Sequence, residues 1–291
     1  MQVASQEREL DGDLTYYRSL TYSDNTKRTY QSHLRSYLGF CALMRYPPVP
    51  VSHLTICRYA AFLAKRLSVA SIKKYINIIR ILHLEAGLPN PLKETWFLDT
   101  VIRGIGRHKG LGTRRKLPIN PHILLKIRSL LDLSSSVDAV FWAACLLAFF
   151  GFLRKSNLFP PSAAKFDPSK HLLRDDFTLF NWGIMLTIRW SKTIQFGERI
   201  LRAPIPWLPN HPLCPVQALL GAFSLTQGAP PTGPAFVIIK EGRVSPFPPS
   251  KFVSMLRTHL SSLGFQANLF SGHSFRRVPA GHSRTAYRGK L

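Results

Sequence analysis

The sequence predicts a mainly α-helical protein with a small antiparallel β-sheet, divided into two domains. Three observations support this prediction. Apolar residues recur at helical spacing through the first hundred residues and again in several later segments. Short strand-like segments flank a Trp-Gly turn at residues 182–183. A cationic, glycine-containing segment separates the two parts, and 291 residues suffice for two ordinary domains.

Four helices are predicted in the first domain, residues 1–106. Serine caps, a proline-rich break and a glycine stop mark their ends. The expected helices run from Ser23 to about Met44, from Ser52 to about Arg66, from Ser68 to Gly87, and over Leu92–Gly104. Basic side chains lie mostly off their apolar faces, so the predicted four-helix bundle has a cationic exterior.

The second domain, residues 118–277, mixes helices with short strands. The expected helices are Pro121–Leu131, Val137–Leu153, Pro215–Leu225 and Pro249–Leu263, and another is expected to begin at Gly272. The expected strands are Asp176–Asn181, Ile184–Trp190, Arg199–Ile205 and Ala235–Ile239. Residues 278–291 have no apolar periodicity and are expected to form a disordered tail.

The charge balance points to an anionic partner. The chain has 39 Lys+Arg against 15 Asp+Glu, a formal net charge of +24. Nucleic acid is the first candidate partner and an anionic membrane surface the second. The longest charge-free apolar run, Ala139–Leu153, is shorter than the roughly 20 residues that span a bilayer, so it predicts a buried helix. We find no secretion signal; a nuclear location is expected if the protein is eukaryotic.

The cysteines indicate neither a disulfide framework nor a metal site. None of the four belongs to a Cys-x-x-Cys pair, so we expect reduced, mostly buried thiols. We therefore expect no metal and no cofactor.

A cationic linker is predicted at residues 107–117, within a basic segment that starts at Arg103. The segment from Arg103 to Lys116 has four glycines and no acid. Six cations without counter-charges repel one another unless an anion neutralises them, so phosphate contacts are expected; the alternative is a solvated loop. The six are Arg103, Arg107, Lys109, Arg114, Arg115 and Lys116.

Two further segments carry candidate site residues. Gly272–Arg277 places His273 and Arg276 three residues apart, which is one turn of a helix. Arg154 follows the long apolar helix, where packing would hold the side chain while the guanidinium faces outward as an anion clamp. The alternative for Arg154 is an arginine that extends from a helix end into water.

Three segments in this order resemble the tyrosine recombinase (phage-integrase-like) superfamily, especially the forms associated with animal retroelements and transposons. They are Leu153–Leu158, Trp190–Thr193 and Ser271–Arg277. The resemblance extends from about Thr15 to Arg277. It implies a helical core-binding (SAM-like) domain followed by a recombinase catalytic domain.

The resemblance implies phosphoryl transfer on DNA. In that family a tyrosine attacks a backbone phosphate and forms a 3′-phosphotyrosine bond without a metal. By residue match, Arg154 and Arg276 would hold the phosphate, because the planar guanidinium makes bidentate hydrogen bonds to phosphate oxygens. His273 would bind the phosphate or assist proton transfer, and Lys192 would protonate the leaving oxygen. Asn157 stands where the family usually carries an acid.

The resemblance also implies duplex DNA as the partner, held between the two domains. Helices at about Asn25–Met44 and Val69–Ala86 would approach the major groove. The candidate phosphate contacts on them are Lys27, Arg28, Lys73 and Lys74. The alternative is that these cations form ordinary solvated helix faces.

The nucleophile is not identified. The family needs a further His or Trp and then a tyrosine after the His-x-x-Arg motif, but Pro279 interrupts any helix there. Tyr287 is only eleven residues past Arg276, in a Gly/Ser/Arg-rich segment. We therefore expect a truncated, catalytically defective DNA-binding protein with weakened self-assembly on DNA. The alternatives are an active recombinase that uses Tyr287 or a tyrosine supplied in trans, and a basic protein that binds RNA or acidic partners.

Overall fold

The computed structural model describes residues 2–93, 95–110, 116–191 and 199–277. The chain divides into two compact units, Met1–Thr113 and Arg114–Leu291. The fold is mainly α-helical with a small antiparallel sheet, which confirms the predicted class.

The described part of the first unit contains the four predicted helices and one that was not predicted. The helices are α1 (Gln2–Leu20), α2 (Asp24–Met44), α3 (His53–Ala64), α4 (Val69–Glu85) and α5 (Trp96–Lys109). The predicted serine caps are present, because Ser23, Ser52 and Ser68 each accept a hydrogen bond from the backbone N–H three residues later. Helices α2 to α5 enclose a common apolar core, whereas α1 is exposed.

Helix α5 corrects the predicted start of the cationic linker at residue 107. Arg103, Arg107 and Lys109 all lie on α5, which continues five residues past the predicted end at Gly104. The helix persists because its inner face stays packed, with Ile102 buried and Gly106 lying close to Val69. Arg114 and Arg115 lie outside the described residues.

The second unit combines helices with a three-stranded sheet and a hairpin. Its described helices are α6 (Pro121–Arg128), α7 (Ser136–Phe150), the short α8 (Lys155–Leu158), α9 (Pro215–Ser224) and α10 (Pro249–Ser262). The strands are β1 (Phe177–Phe180), β2 (Gly183–Ile188), β3 (Leu201–Pro206), β4 (Val237–Lys240) and β5 (Arg243–Pro246). The sheet order is β1-β2-β3, antiparallel throughout, and β5 pairs with β4. Strand β5 was not predicted.

Helix α7 is the centre of this unit. Every residue from Ala139 to Phe150 is buried, so the apolar run is a core helix as predicted. It packs against α9, β4, α8 and a 3-10 turn at Ser274–Arg276. No helix in the described ranges is long and apolar enough to span a membrane.

All four cysteines are buried and free of disulfide bonds, as predicted. Burial raises the pKa of the Cys41, Cys57 and Cys145 thiols. They therefore act as small apolar core residues.

Candidate phosphate-binding site

Arg154 lies in the turn that joins α7 to α8. Phe152 turns the backbone with φ of +50°, and Leu153 is buried with its N–H bonded to the carbonyl of Ala148. A non-glycine residue in this conformation is strained by about 1–3 kcal/mol, so the surrounding packing must hold it. The packing fixes the backbone of Arg154, whose side chain is half-buried.

Asn157 connects this turn to the end of β2. Its Oδ1 accepts the backbone N–H of Arg154 at 3.1 Å, and its Nδ2 faces the carbonyl of Trp190 at 3.5 Å. The second contact is long for a hydrogen bond. Its donor is the side-chain NH₂ group, which an asparagine has and an aspartate lacks. Asn157 therefore places the Arg154 turn beside the segment that leads into Lys192.

An ion pair with a buried carboxylate fixes the same end of β2. Arg189 contacts the carboxylate of Asp176 with both terminal nitrogens, at 2.5 and 2.7 Å. Asp176 is 2 % exposed and also accepts the N–H of Leu173 at 2.8 Å. A paired and fully bonded carboxylate can remain charged inside a protein. The pair therefore anchors the residues just before Trp190.

His273 and Arg276 are presented by a short segment with a buried anchor. Ser274 is fully buried and its hydroxyl accepts the N–H of Ser271 at 3.0 Å. Phe275 is also buried, with its ring 5.9 Å from that of Phe252. Because these two side chains point inward, His273 is exposed and Arg276 is half-buried at the surface.

The prediction of an α-helix that begins at Gly272 is wrong for the described residues. In the described part of this segment, residues 272–277, the chain forms a 3-10 turn at Ser274–Arg276, and Arg277 is extended. The buried Ser274 hydroxyl accepts a hydrogen bond from the Ser271 N–H, and the Ser274 carbonyl accepts one from the Ile119 N–H. These two hydrogen bonds do not belong to an α-helix and favour another backbone conformation. The three-residue spacing still holds the motif together, since Arg276 N–H bonds to the His273 carbonyl at 3.1 Å.

A contact between Gly272 and Lys155 brings the two arginine-bearing segments together. A Cβ added at Gly272 would lie 3.3 Å from the Cβ of Lys155, so the backbone there lies directly against α8. Lys155 follows Arg154, and Gly272 precedes His273. Arg154 therefore lies on a segment adjacent to the one that carries His273 and Arg276. We call these three residues the phosphate clamp.

Known proteins match this chain in structure but not in sequence. No family model and no curated protein matches the sequence. The structure is similar to lambda integrase, solved as a dimer bound to a core site, with a TM-score of 0.56 and 14 % identity over 92 % of this chain and 82 % of that chain. It is also similar to the Tn1549 transposon integrase in complex with circular-intermediate DNA, with a TM-score of 0.57 and 15 % identity over 92 % of this chain and 83 % of that chain.

Both of these proteins are tyrosine recombinases. The chain has the tyrosine-recombinase fold. This fold is the one that the resemblance in the sequence implied.

Two residues with predicted roles in the site are not among those that the structure describes. Lys192 and Tyr287 lie outside the described residues. The structure describes the strand end before Lys192, as far as Ser191, which is buried. The roles of both residues remain predictions.

The predicted DNA contacts of the first unit lie on exposed helix faces. Lys27 and Arg28 are exposed on α2, and Lys73 and Lys74 are exposed on α4, which packs against α2. His33 is buried, and its ring centroid lies 4.0 Å from that of Tyr75, with the two rings tilted by 35°. Burial lowers the pKa of His33, and the nearby Lys74 lowers it further, so the imidazole adds no charge at neutral pH.

Lys116 has a different environment from the one predicted for it. Its Nζ donates to the carbonyl of Asn268, and its own carbonyl accepts from the guanidinium of Arg277. Leu117 N–H also bonds to Leu269 at 2.8 Å. Lys116 thus helps to seat the segment that carries the His-x-x-Arg motif, and a phosphate contact by its ammonium group remains a prediction.

Sequence reasoning missed a polar face on α10. An open groove of about 670 Å³ is lined by Lys155 and by exposed residues of α10. Those that can bind an anion are Ser250, Ser254, Arg257, Thr258, Ser261 and Ser262. Helix α10 has no acidic residue, and Phe252, Leu256 and Leu260 bury its other face. The signal in the sequence was a row of hydroxyl residues at helical spacing opposite an apolar row.

The arrangement is suited to binding an anion. Arginine guanidinium groups, a histidine and hydroxyl groups can bind phosphate oxygens without a metal. Among the described residues, no three His, Cys, Asp or Glu side chains form a group that could hold a metal ion.

Proposed function

We propose that this protein binds duplex DNA and that the phosphate clamp holds a backbone phosphate. The observation that supports the proposal is the contact between Gly272 and Lys155, whose neighbours in the chain are His273 and Arg154. Two arginines and a histidine on two neighbouring segments would form a site for an anion that accepts several hydrogen bonds.

Charge and fold support DNA as the source of that phosphate. A chain with a net charge of +24 attracts polyanions. Lambda integrase is bound to a core site and Tn1549 integrase to circular-intermediate DNA in the structures that this fold matches. The exposed cations of α2 and α4, together with the α10 groove, supply further phosphate contacts along the duplex.

The clamp residues would stabilise negative charge on the phosphate and would not form covalent bonds to it. Arg154 and Arg276 would bind the non-bridging oxygens, where negative charge increases during phosphoryl transfer. His273 would donate a further hydrogen bond, and Lys192 would protonate the leaving oxygen. Each role follows from the match to the recombinase motifs.

We propose that this chain alone binds DNA without cleaving it. Cleavage needs a tyrosine held within about 3–3.5 Å of the phosphorus. The sequence after Arg276 reaches Pro279 within three residues, and Tyr287 lies among glycine, serine and arginine residues that provide no apolar face to pack it. Without a positioned nucleophile, a clamp binds phosphate but forms no covalent intermediate.

Duplex binding by the clamp is tested by titration at several salt concentrations. We expect the affinity for a duplex of mixed sequence to fall steeply with salt, and the Arg154→Ala/Arg276→Ala variant to bind at least about tenfold more weakly. Arg243→Ala, an exposed arginine of the β5 hairpin, is the matched control. Equal binding by both variants, or equal competition by single-stranded RNA, would contradict the proposal and favour a general polyanion binder.

Cleavage is tested with a nicked duplex that traps covalent intermediates. We expect no protein–DNA adduct in a denaturing gel. An adduct that Tyr287→Phe abolishes would show that Tyr287 is a working nucleophile. An adduct that survives Tyr287→Phe would indicate another nucleophile, and either adduct would overturn the proposed defect.

A further inference from the structure

Helix α3 has an outward face on which apolar and cationic side chains recur at helical spacing. Leu54, Arg58, Ala61 and Lys65 follow one another at i, i+4, i+7 and i+11, and Phe62 lies beside Ala61. Lys65 caps the helix and keeps helical backbone angles. At 100° per residue the five positions fall within about 100° of arc, and all five are exposed. We call these five residues the α3 face.

The apolar part of the α3 face is open to solvent. Leu54 is 50 % exposed and Phe62 is 39 % exposed. The ring of Phe62 lies 5.3 Å from that of the buried Phe40 and 6.5 Å from that of Tyr59, so its inner side is held by two other rings. A fixed aromatic ring that stays half in water beside a leucine is typical of an anchor for a partner.

Arg58 is held in position on the same face. Its Nη1 donates to the hydroxyl of Tyr46 at 2.7 Å, and its guanidinium carbon lies 5.6 Å from the centroid of the Tyr46 ring. A guanidinium has five N–H donors, so most of them remain for a carboxylate. Among the described residues no carboxylate forms an ion pair with Arg58 or Lys65. A cation that is already positioned loses little freedom when an acid binds it.

The sequence around the α3 face contains no acid. From Asn25 to Leu84 there are ten lysine and arginine residues and neither aspartate nor glutamate. This range includes the whole of α3 and all but one residue each of α2 and α4. An acidic partner therefore meets no like charge on these helices, whereas a basic partner would be repelled.

We propose that the α3 face binds an acidic amphipathic helix of another protein. A helix laid along α3 would place apolar side chains on Leu54, Ala61 and Phe62. Its carboxylates would pair with Arg58 and Lys65, which are seven residues apart, about 10 Å at 1.5 Å per residue. This distance is two turns of the partner helix, so the partner needs acids at i and i+7 beside its apolar residues. This inference does not depend on DNA binding.

The chemistry of the α3 face disfavours the other occupants. A DNA backbone offers little apolar surface, so phosphate contacts alone would leave Leu54 and Phe62 in water. A second copy of the chain would bring a net charge of +24 towards another of +24. A lipid surface binds through a larger apolar area than one leucine, one alanine and one phenylalanine provide. An acidic amphipathic helix matches both the apolar and the cationic part.

Fluorescence anisotropy of labelled peptides tests the pairing. The probe is a helix-forming peptide of about 18 residues with leucine at i, i+4, i+7 and i+11 and glutamate beside that stripe. A scrambled peptide of the same composition controls for general attraction to a cationic chain, and a third peptide has lysine in place of glutamate. We expect the probe to bind at least about tenfold more tightly than the scrambled peptide, and the lysine peptide not to bind. Equal binding of the probe and the scrambled peptide would overturn the proposal.

Variants of the α3 face locate the bound peptide. Leu54→Gln/Phe62→Gln removes the apolar anchors without a change of charge and should lower the affinity at least about tenfold. Leu130→Gln, at a leucine of the second unit that is 43 % exposed, is the matched control. Arg58→Ala should also weaken binding, with the exposed Arg243→Ala as its control. Circular dichroism checks folding, and Leu54→Gln alone replaces the double variant if that is unfolded. If neither Leu54→Gln nor Arg58→Ala lowers the affinity, the peptide binds elsewhere and the proposal is wrong.

The double variant also identifies any other occupant. It keeps every cation, so its affinities for duplex DNA and for phosphatidylserine vesicles should equal those of wild type within about twofold. A loss in either assay as large as the loss of peptide affinity would make DNA or lipid the occupant. Self-association of wild type in sedimentation velocity that the double variant abolishes would make a second copy the occupant. Each of these results would overturn the proposal.

Discussion

Arg154 and Asn157 exchange two hydrogen bonds through the turn that starts α8. The Arg154 N–H donates to Asn157 Oδ1 at 3.1 Å, and the Asn157 N–H donates to the Arg154 carbonyl at 2.8 Å. The Asn157 Nδ2 also faces the Trp190 carbonyl. An ionised aspartate could accept the first bond but could not donate towards Trp190. The amide is therefore suited to this position, where the resemblance in the sequence implied an acid.

We predict that Asn157→Asp destabilises the second unit by about 1 kcal/mol. The carboxylate keeps the bond to the Arg154 N–H but faces the Trp190 carbonyl oxygen without a donor. Asn157→Ala, which loses both contacts, should cost at least as much. Chemical denaturation measures the change, and hydrogen exchange should be faster around Trp190 and Ser191. An aspartate variant as stable as wild type would show that the contact with Trp190 contributes nothing.

Breaking the ion pair between Arg189 and Asp176 should lower the free energy of unfolding by more than the Asn157 substitutions do. Arg189→Met leaves a carboxylate that is 2 % exposed without its partner, which should cost about 3–5 kcal/mol. Adding Asp176→Asn to that variant should recover part of the loss, because the remaining side chain is neutral. The exposed pair Lys170 and Asp167 is the control, and Lys170→Met should cost less than about 1 kcal/mol. If Arg189→Met and Lys170→Met lower the free energy of unfolding equally, this account is contradicted.

The sequence predicted the elements that carry strong local signals. The serine caps of α2, α3 and α4 and the apolar run of α7 are local features, and the structure contains them where expected. Helix α1 was missed because four acids surround a short stripe that has no core to face. Strand β5 was missed because it has only four residues, one of them a proline, although it pairs with β4 across a two-residue turn.

Residue spacing selected the candidate site residues, but it could not supply their geometry. Residue spacing identified His273 and Arg276, but it could not show that Ser274 would be buried and turn the segment into a 3-10 turn. The pairing of Asp176 with Arg189 joins residues on either side of a hairpin. The contact of Gly272 with Lys155 joins segments more than a hundred residues apart. Such contacts follow from tertiary packing and leave no local pattern.

The α10 groove predicts a measurable change in the salt dependence of DNA binding. If Arg257 neutralises one phosphate, Arg257→Ala should reduce the slope of log K against log salt by about 1. Ser254→Ala should weaken binding slightly and leave the slope unchanged, since a hydroxyl displaces no counterion. Arg243→Ala is the control for a lost surface arginine. A slope that Arg257→Ala leaves at the wild-type value would exclude the groove from the DNA interface.

The buried His33 of the first unit predicts that the protein becomes less stable as the pH falls. Burial lowers the pKa of His33 below its usual 6.5, Lys74 lowers it further, and no hydrogen-bond partner for His33 Nδ1 is present among the described residues. The folded state therefore binds a proton less readily than the unfolded state. The stabilising effect of the neutral imidazole is complete above about pH 6.5 and is lost as the pH falls towards the folded-state pKa.

Replacing that histidine should flatten the pH dependence. We expect His33→Phe, which keeps a ring against Tyr75, to lose less stability than wild type between about pH 7 and pH 5, as measured by thermal unfolding. Some pH dependence should remain, because burial also lowers the pKa of His171 in the second unit. His108→Gln, at an exposed position of α5, is the control and should follow the wild-type curve. If His33→Phe also follows that curve, protonation of His33 does not limit the stability of the bundle.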